Sequence, residues 1–168
     1  MILVTHGFIG AAIGRLLPYN PLAAFALGAA SHFLSDAIPH WHYPLLSQKR
    51  DKENPMNNDL IIGKGFLTDL VGIGLDCALG LVLPIIIFQG WDGLANPSPA
   101  ILAGAIGGIL PDPLQFLYMK WKKGPIVALQ RFHMWIHAKT DLDRHHLLGI
   151  GSQFLVIVAS ILISQSLL

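Results

Sequence analysis

Within SHFLSDAIPHWHYP, residues 31–44, stand His32, Asp36, His40 and His42, in a chain otherwise dominated by aliphatic residues. An ionised carboxylate at mid-membrane costs about 2.5–3.5 kcal/mol on insertion scales, so such residues face a cavity or a partner. His32 and Asp36 are four apart and share one face of a helix, a ladder that His40 continues if the helix outlasts Pro39. Other acids and imidazoles recur along the chain. His6 lies near the start, Asp69 and Asp76 are seven apart, and Asp112 sits between prolines in LPDPLQ. His133, His137, Asp141 and His145 follow at a spacing of four. Imidazole nitrogen and carboxylate oxygen are the ligands that zinc, manganese or iron accept, and a catalytic site keeps one position open for water. Such an ion lowers the pKa of that water to near 7 and stabilises charge on a phosphoryl or carbonyl oxygen.

The residue types therefore point to His6, His32, Asp36, Asp76 and Asp112 as ligands of a divalent metal, zinc first, with manganese or iron as alternatives. His40, His133 or His137 completes the ligand set or moves a proton. Whether His42, Asp69, His145 or His146 joins them is left open; beside loops, solvation is the plainer reading for these histidines.

The elements that must carry these residues are apolar. The chain has 168 residues, 53% hydrophobic and 12% charged, with a mean hydropathy of +0.56, too apolar for an ordinary soluble domain. A net charge of +1 gives no reason to expect a nucleic-acid partner, and the lone Cys77 excludes an internal disulfide framework. The first residues, MILVTHGFIG, carry no basic stretch, so a retained first span is expected rather than a cleaved signal. Apolar runs at Ile2–Leu17, Leu22–Ile38, Phe66–Phe88, Pro99–Phe116 and Leu147–Leu168 predict an all-α polytopic membrane helical bundle of about five transmembrane helices. The first four pair as helical hairpins turning at Asn20-Pro21 and Asn96-Pro97. Aligning the two Asn-Pro pairs also aligns Asp36 with Asp112, which makes 2–40 and 66–116 candidate repeats. An interfacial segment, 117–146, and a last helix, 147–168, complete a single integral membrane domain.

Every Lys and Arg except Arg15 falls between spans two and three or between spans four and five. The positive-inside rule makes that face cytoplasmic, with the N-terminus inside and the C-terminus outside, in a membrane of prokaryotic type. All the candidate site residues fall toward this same face.

Thr5-His6 before Gly10, a Gly-rich helix ending in Pro111-Asp112 and the later pair His133 and His137 together resemble the family of membrane-bound metal-dependent hydrolases, over most of the chain. Two motifs depart from that family's pattern. Pro113, Leu114, Gln115 and Phe116 stand where it carries a further Asp and His, and Arg131 precedes the first histidine of the pair instead of following it. The resemblance implies a metal-dependent hydrolase; the membrane location adds an amphiphilic substrate, a phospholipid or isoprenoid phosphoester. A small transporter or proton-coupled carrier is the rival reading, since intramembrane acids in repeated hairpins also serve transport. A non-catalytic membrane adaptor is another.

Overall fold

The computed structural model describes residues 1–140 and 142–168. Asp141, one member of the four-spaced series, lies outside them. Among the described residues there are seven α-helices: α1 (Leu3–Leu16), α2 (Pro21–Asp36), α3 (Lys64–Gln89), α4 (Pro99–Ile109), α5 (Pro111–Lys120), α6 (Pro125–Ile136) and α7 (His146–Ser166). Between α2 and α3 a two-stranded antiparallel pair, β1 (Gln48–Lys49) and β2 (Asp59–Leu60), aligns Gln48 with Leu60 and Lys49 with Asp59. The all-helical expectation is met.

The expected five spans are not. Among the described residues only α3 and α7 are long and apolar enough to cross a bilayer, or three segments if α4 and α5, bent by 42° at Leu110, count as one. At 1.5 Å per residue α1 and α2 reach about 21 and 24 Å, short of a hydrocarbon core of about 30 Å. Turn chemistry sets these lengths. Asn20 caps α2 through a bond from the Ala23 N–H, Pro21 follows in the first turn, and α2 stops three residues before Pro39. The second Asn-Pro pair behaves differently: Ser98, not Asn96, accepts the capping bond, and α4 begins at Pro99. Asp36 thus closes one helix whereas Asp112 opens another after a bend.

α1 is the central helix, packed against α2, α3, α4 and α7, while α2 also packs on α4 and α6. Its approach to α4 is a backbone contact. A Cβ on Gly10 would strike the Gly104 carbonyl, and one on Gly104 would strike Gly10, so glycine at both places lets the two helices touch. Ala11, Ile85, Ile101 and Ala105 form an apolar core there. α3 and α7 stand outermost, with only 17% of their apolar windows buried. Leu67, Leu70, Val71 and Leu75 on α3, and Phe154, Leu155, Leu162 and Ile163 on α7, are exposed, which suits lipid contact. The interior of the bundle inverts this arrangement. There the largest fully buried side chains include His6, His32, His40, His133 and Asp36.

Candidate metal centre

Asp36, at the last position of α2 and 1% exposed, is the hub of the polar cluster. Its Oδ2 lies 3.3 Å from His32 Nε2 and 3.0 Å from His133 Nε2, and its Oδ1 lies 3.2 Å from His6 Nε2 and 3.4 Å from His40 Nε2. The Met1 amino group also contacts Oδ1, at 2.6 Å. Four imidazoles from α1, α2, the following loop and α6 therefore surround one carboxylate. His6 Nε2 and His40 Nε2 are close to it but at angles that make no hydrogen bond, and both are buried without another partner. An uncompensated buried polar atom of this kind is costly.

The backbone explains how these residues meet. Close helix packing brings the Gly108 carbonyl to His32, whose Nδ1–H donates to it at 2.7 Å, leaving Nε2 to face Asp36. The ring of His6 stacks on His32 with centroids 3.9 Å apart, and its Nδ1 is 3.2 Å from Ser35 Oγ. His133 arrives because the end of α6 is stitched onto the end of α2: Ala138 N–H donates to the Asp36 carbonyl at 2.8 Å, and Leu142 N–H to the His40 carbonyl at 3.0 Å. Asp112, in the first turn of α5, places Oδ1 3.5 Å from His32 Nε2 and accepts a bond from Gln115 Nε2 at 2.9 Å.

His32, Asp36, Asp112 and His133 form a group that could hold a metal ion, with ligand atoms all within 4.8 Å of one another. Its spacing can be tested against coordination chemistry. Ligands bound at 2.0–2.1 Å and tetrahedral angles stand about 3.3–3.5 Å apart. Here His32 Nε2 is 3.4 Å from His133 Nε2, and the other measured pairs run from 3.0 to 3.5 Å. Two carboxylates, with two imidazoles that ligate in the neutral form, would match the charge of a divalent cation.

A second group lies alongside. His40, His42 and His137 likewise could hold an ion, and His42 Nε2 is 3.3 Å from His137 Nε2. Each has its Nδ1 engaged: His40 with the Ile38 carbonyl at 2.6 Å, His42 with Asp143 Oδ1 at 3.2 Å, His137 with the Ala138 carbonyl at 3.1 Å. Such bonds fix the tautomer that presents Nε2. Burial, helped by the Met1 positive charge, pushes the pKa of His40 down to about 3, and burial lowers that of His42 as well. Both are thus neutral, the ligating form, at pH 7.

A cavity of about 270 Å³ opens onto both groups. Its lining is mixed: the polar Asp36, Asp112, His42 and His137, the apolar Ile73, Phe116 and Met119, and the exposed Arg50 next to β1.

Of the predicted site residues, His6, His32, Asp36 and Asp112 converge and His133 lies among them; His40 and His137 lie in the adjoining group. Asp76 does not converge. Its two oxygens accept the N–H groups of Leu3 and Val4 at 2.7 and 2.9 Å, capping α1, with Tyr43 Oη 3.3 Å away. Asp69 holds the start of the hairpin, accepting from Leu46 N, Ser47 N and Ser47 Oγ. His145 and His146 are exposed at the start of α7. His42 is the residue that the helical ladder missed. Pro39 and Pro44 bracket an extended segment in which residues two apart point the same way, so a period of two through PHWHYP would have paired it with His40. Comparison with known proteins identifies no relative: no family model, curated protein or solved structure matches this chain.

Proposed function

We propose that this chain is a membrane-embedded metal-dependent hydrolase whose substrate is an amphiphilic phosphoester, a phospholipid or an isoprenoid phosphate. The observation that carries this reading is the four-ligand group of His32, Asp36, Asp112 and His133, whose measured separations run from 3.0 to 3.5 Å, beside a cavity lined by both polar and apolar side chains. Zinc fits the donor set best, two imidazoles and two carboxylates at the short distances it prefers. When bound, the ion supplies an activated water and a positive charge at the phosphoryl oxygen.

The chain's own residues do the rest. His32 and His133 are held in orientation by α4 and by the stitched end of α6, so the ligand geometry is in place before substrate arrives. Asp112, whose side chain is 19% exposed, reaches the cavity, where an attacking water can meet it. Arg50 is placed to receive the phosphate charge, and Ile73, Phe116 and Met119 to take the first methylenes of the tail. Hydrolysis forms a bond from the water oxygen to phosphorus and breaks the ester P–O bond; the proton that the water gives up ends on the departing alkoxide oxygen. The bundle sits in a prokaryotic-type cytoplasmic membrane with the site at the inner face, the side of the lysines and arginines.

The test is elemental analysis with a phosphoester assay in mixed micelles, on wild type and on Asp36→Asn/Asp112→Asn. Wild type should retain zinc through gel filtration and release a phosphorylated product; the double variant should lose at least tenfold of both. Equal trace metal in the two proteins sinks the metal reading. Metal without turnover of any phosphoester sinks the substrate class.

A further inference from the structure

We propose that the centre is binuclear: His40, His42 and His137 hold a second ion, and the Asp36 carboxylate bridges the two. The inference rests on the metal reading above but not on the reaction assigned to it.

The three imidazoles come from two separate pieces of chain, the extended segment after α2 and the end of α6, and they converge through Nε2. A histidine cluster formed by chance on a surface presents a mixture of tautomers and solvated edges. Here the three Nδ1 atoms are all committed to acceptors of the protein, two main-chain carbonyls and the Asp143 carboxylate. That is the orientation shell metal-ligating histidines normally carry. With both Nδ1 atoms donating, His42 Nε2 and His137 Nε2 face each other as acceptors at 3.3 Å, an arrangement that a shared cation relieves and that matches the edge of a tetrahedral shell. His40 is 1% exposed, and with its Nδ1 engaged it keeps a buried Nε2 that has no hydrogen-bond partner.

His40 is also the link between the groups. Its Nε2 belongs to the three-histidine set and lies 3.4 Å from Asp36 Oδ1, while Oδ2 of the same carboxylate faces His32 and His133. Oδ1 also meets the Met1 amino group at 2.6 Å and His6 Nε2 at 3.2 Å, so an ion held there through His40 takes the place of that ammonium. A carboxylate so placed spans two ions about 3.5–4 Å apart, the separation found in two-metal phosphoesterases. The cavity meets both sets at Asp36, Asp112, His42 and His137, so a phosphoryl group entering it can touch both ions. His42, with its positioning partner Asp143, becomes part of the centre on this view.

Metal titration of the full-length protein in detergent reads the proposal directly. Wild type should bind two equivalents of zinc per chain, and His42→Gln/His137→Gln one, a twofold drop, with helical content and gel-filtration profile unchanged. Wild type loaded with Mn²⁺ should give an exchange-coupled electron paramagnetic resonance spectrum that Asp36→Asn abolishes. One equivalent and an uncoupled Mn²⁺ spectrum in wild type overturn the second ion and leave the hydrolase reading standing. No bound metal in wild type overturns both. Two ions and a coupled wild-type spectrum without any phosphoester turnover sustain the binuclear centre and remove the reaction assigned to it. The wild-type spectrum decides the matter even if the histidine variant fails to fold.

Discussion

At the scale of residues, Asp36 carries more than any other side chain. It closes α2, faces four imidazole nitrogens within 3.0–3.4 Å, and is 2% exposed at its side chain. Removing one partner from a buried charge network costs about 3–5 kcal/mol, so Asp36→Ala should lower the thermal midpoint of metal-free protein more than Asp112→Ala, whose carboxylate is 19% exposed. Unfolding in detergent after chelation measures this; equal shifts would remove Asp36 from its central place. His40 yields a pH dependence. Its folded pKa, about 3, lies below the unfolded value of 6.5, so on acidification the unfolded chain takes up a proton that the folded chain refuses. Metal-free protein should hold its stability above pH 6.5 and lose it progressively from there toward pH 3, His42 adding in the same direction. His40→Asn should flatten that slope, as followed by circular dichroism melts across the range.

At the scale of elements, carboxylates and glycines that resemble site residues serve assembly. Asp76 satisfies the first N–H groups of α1, and Asp69 fixes the loop that leads into β1. Asp76→Ala should therefore cost about 1 kcal/mol, the usual worth of a cap, and leave metal stoichiometry unchanged; a lost equivalent would return Asp76 to the ligands. Gln153 acts similarly from α7, accepting Ile2 N–H at 2.8 Å and donating to the Trp41 carbonyl at 3.0 Å. It ties the start of α1 to the segment bearing His40 and His42. The α1–α4 contact is more exacting. Gly104→Val should prevent assembly of the bundle, because its side chain meets backbone that cannot move aside. Gly72→Ala, open on α3, should be tolerated, and expression with a monodisperse gel-filtration peak compares the two.

At the scale of the whole molecule, α1 lies against both long helices, α3 and α7, and α4 against α3, while α2 packs on α1 and α4 and carries the polar cluster at its end. In sealed vesicles of defined orientation, Lys122→Cys should label from the cytoplasmic side and Ser166→Cys from the opposite side, in a Cys77→Ala background. Labelling of both from one side would refute the orientation. Apolar runs and caps made the helices readable from the sequence, since each depends on neighbours within a few residues: Asn20-Pro21 starts α2, and Pro111 starts α5. Spacing of four also found His32 with Asp36, and His133 four before His137. The number of crossings was not readable, because an apolar run can be buried by its neighbours as well as by lipid, and α1, α2 and α4 proved too short to span alone.

Side-chain chemistry and local periodicity are properties of the chain at short range, so the candidate ligands and the helices that carry most of them are legible before any folding is considered. Which of those residues lie together depends on how helices distant in sequence pack. Asp76 and Asp36 both end near the start of α1, yet one meets main-chain N–H groups and the other meets imidazoles. That difference is set by how closely α1, α2 and α4 approach through their glycines and by where α6 is sewn to α2, distances that no local spacing encodes.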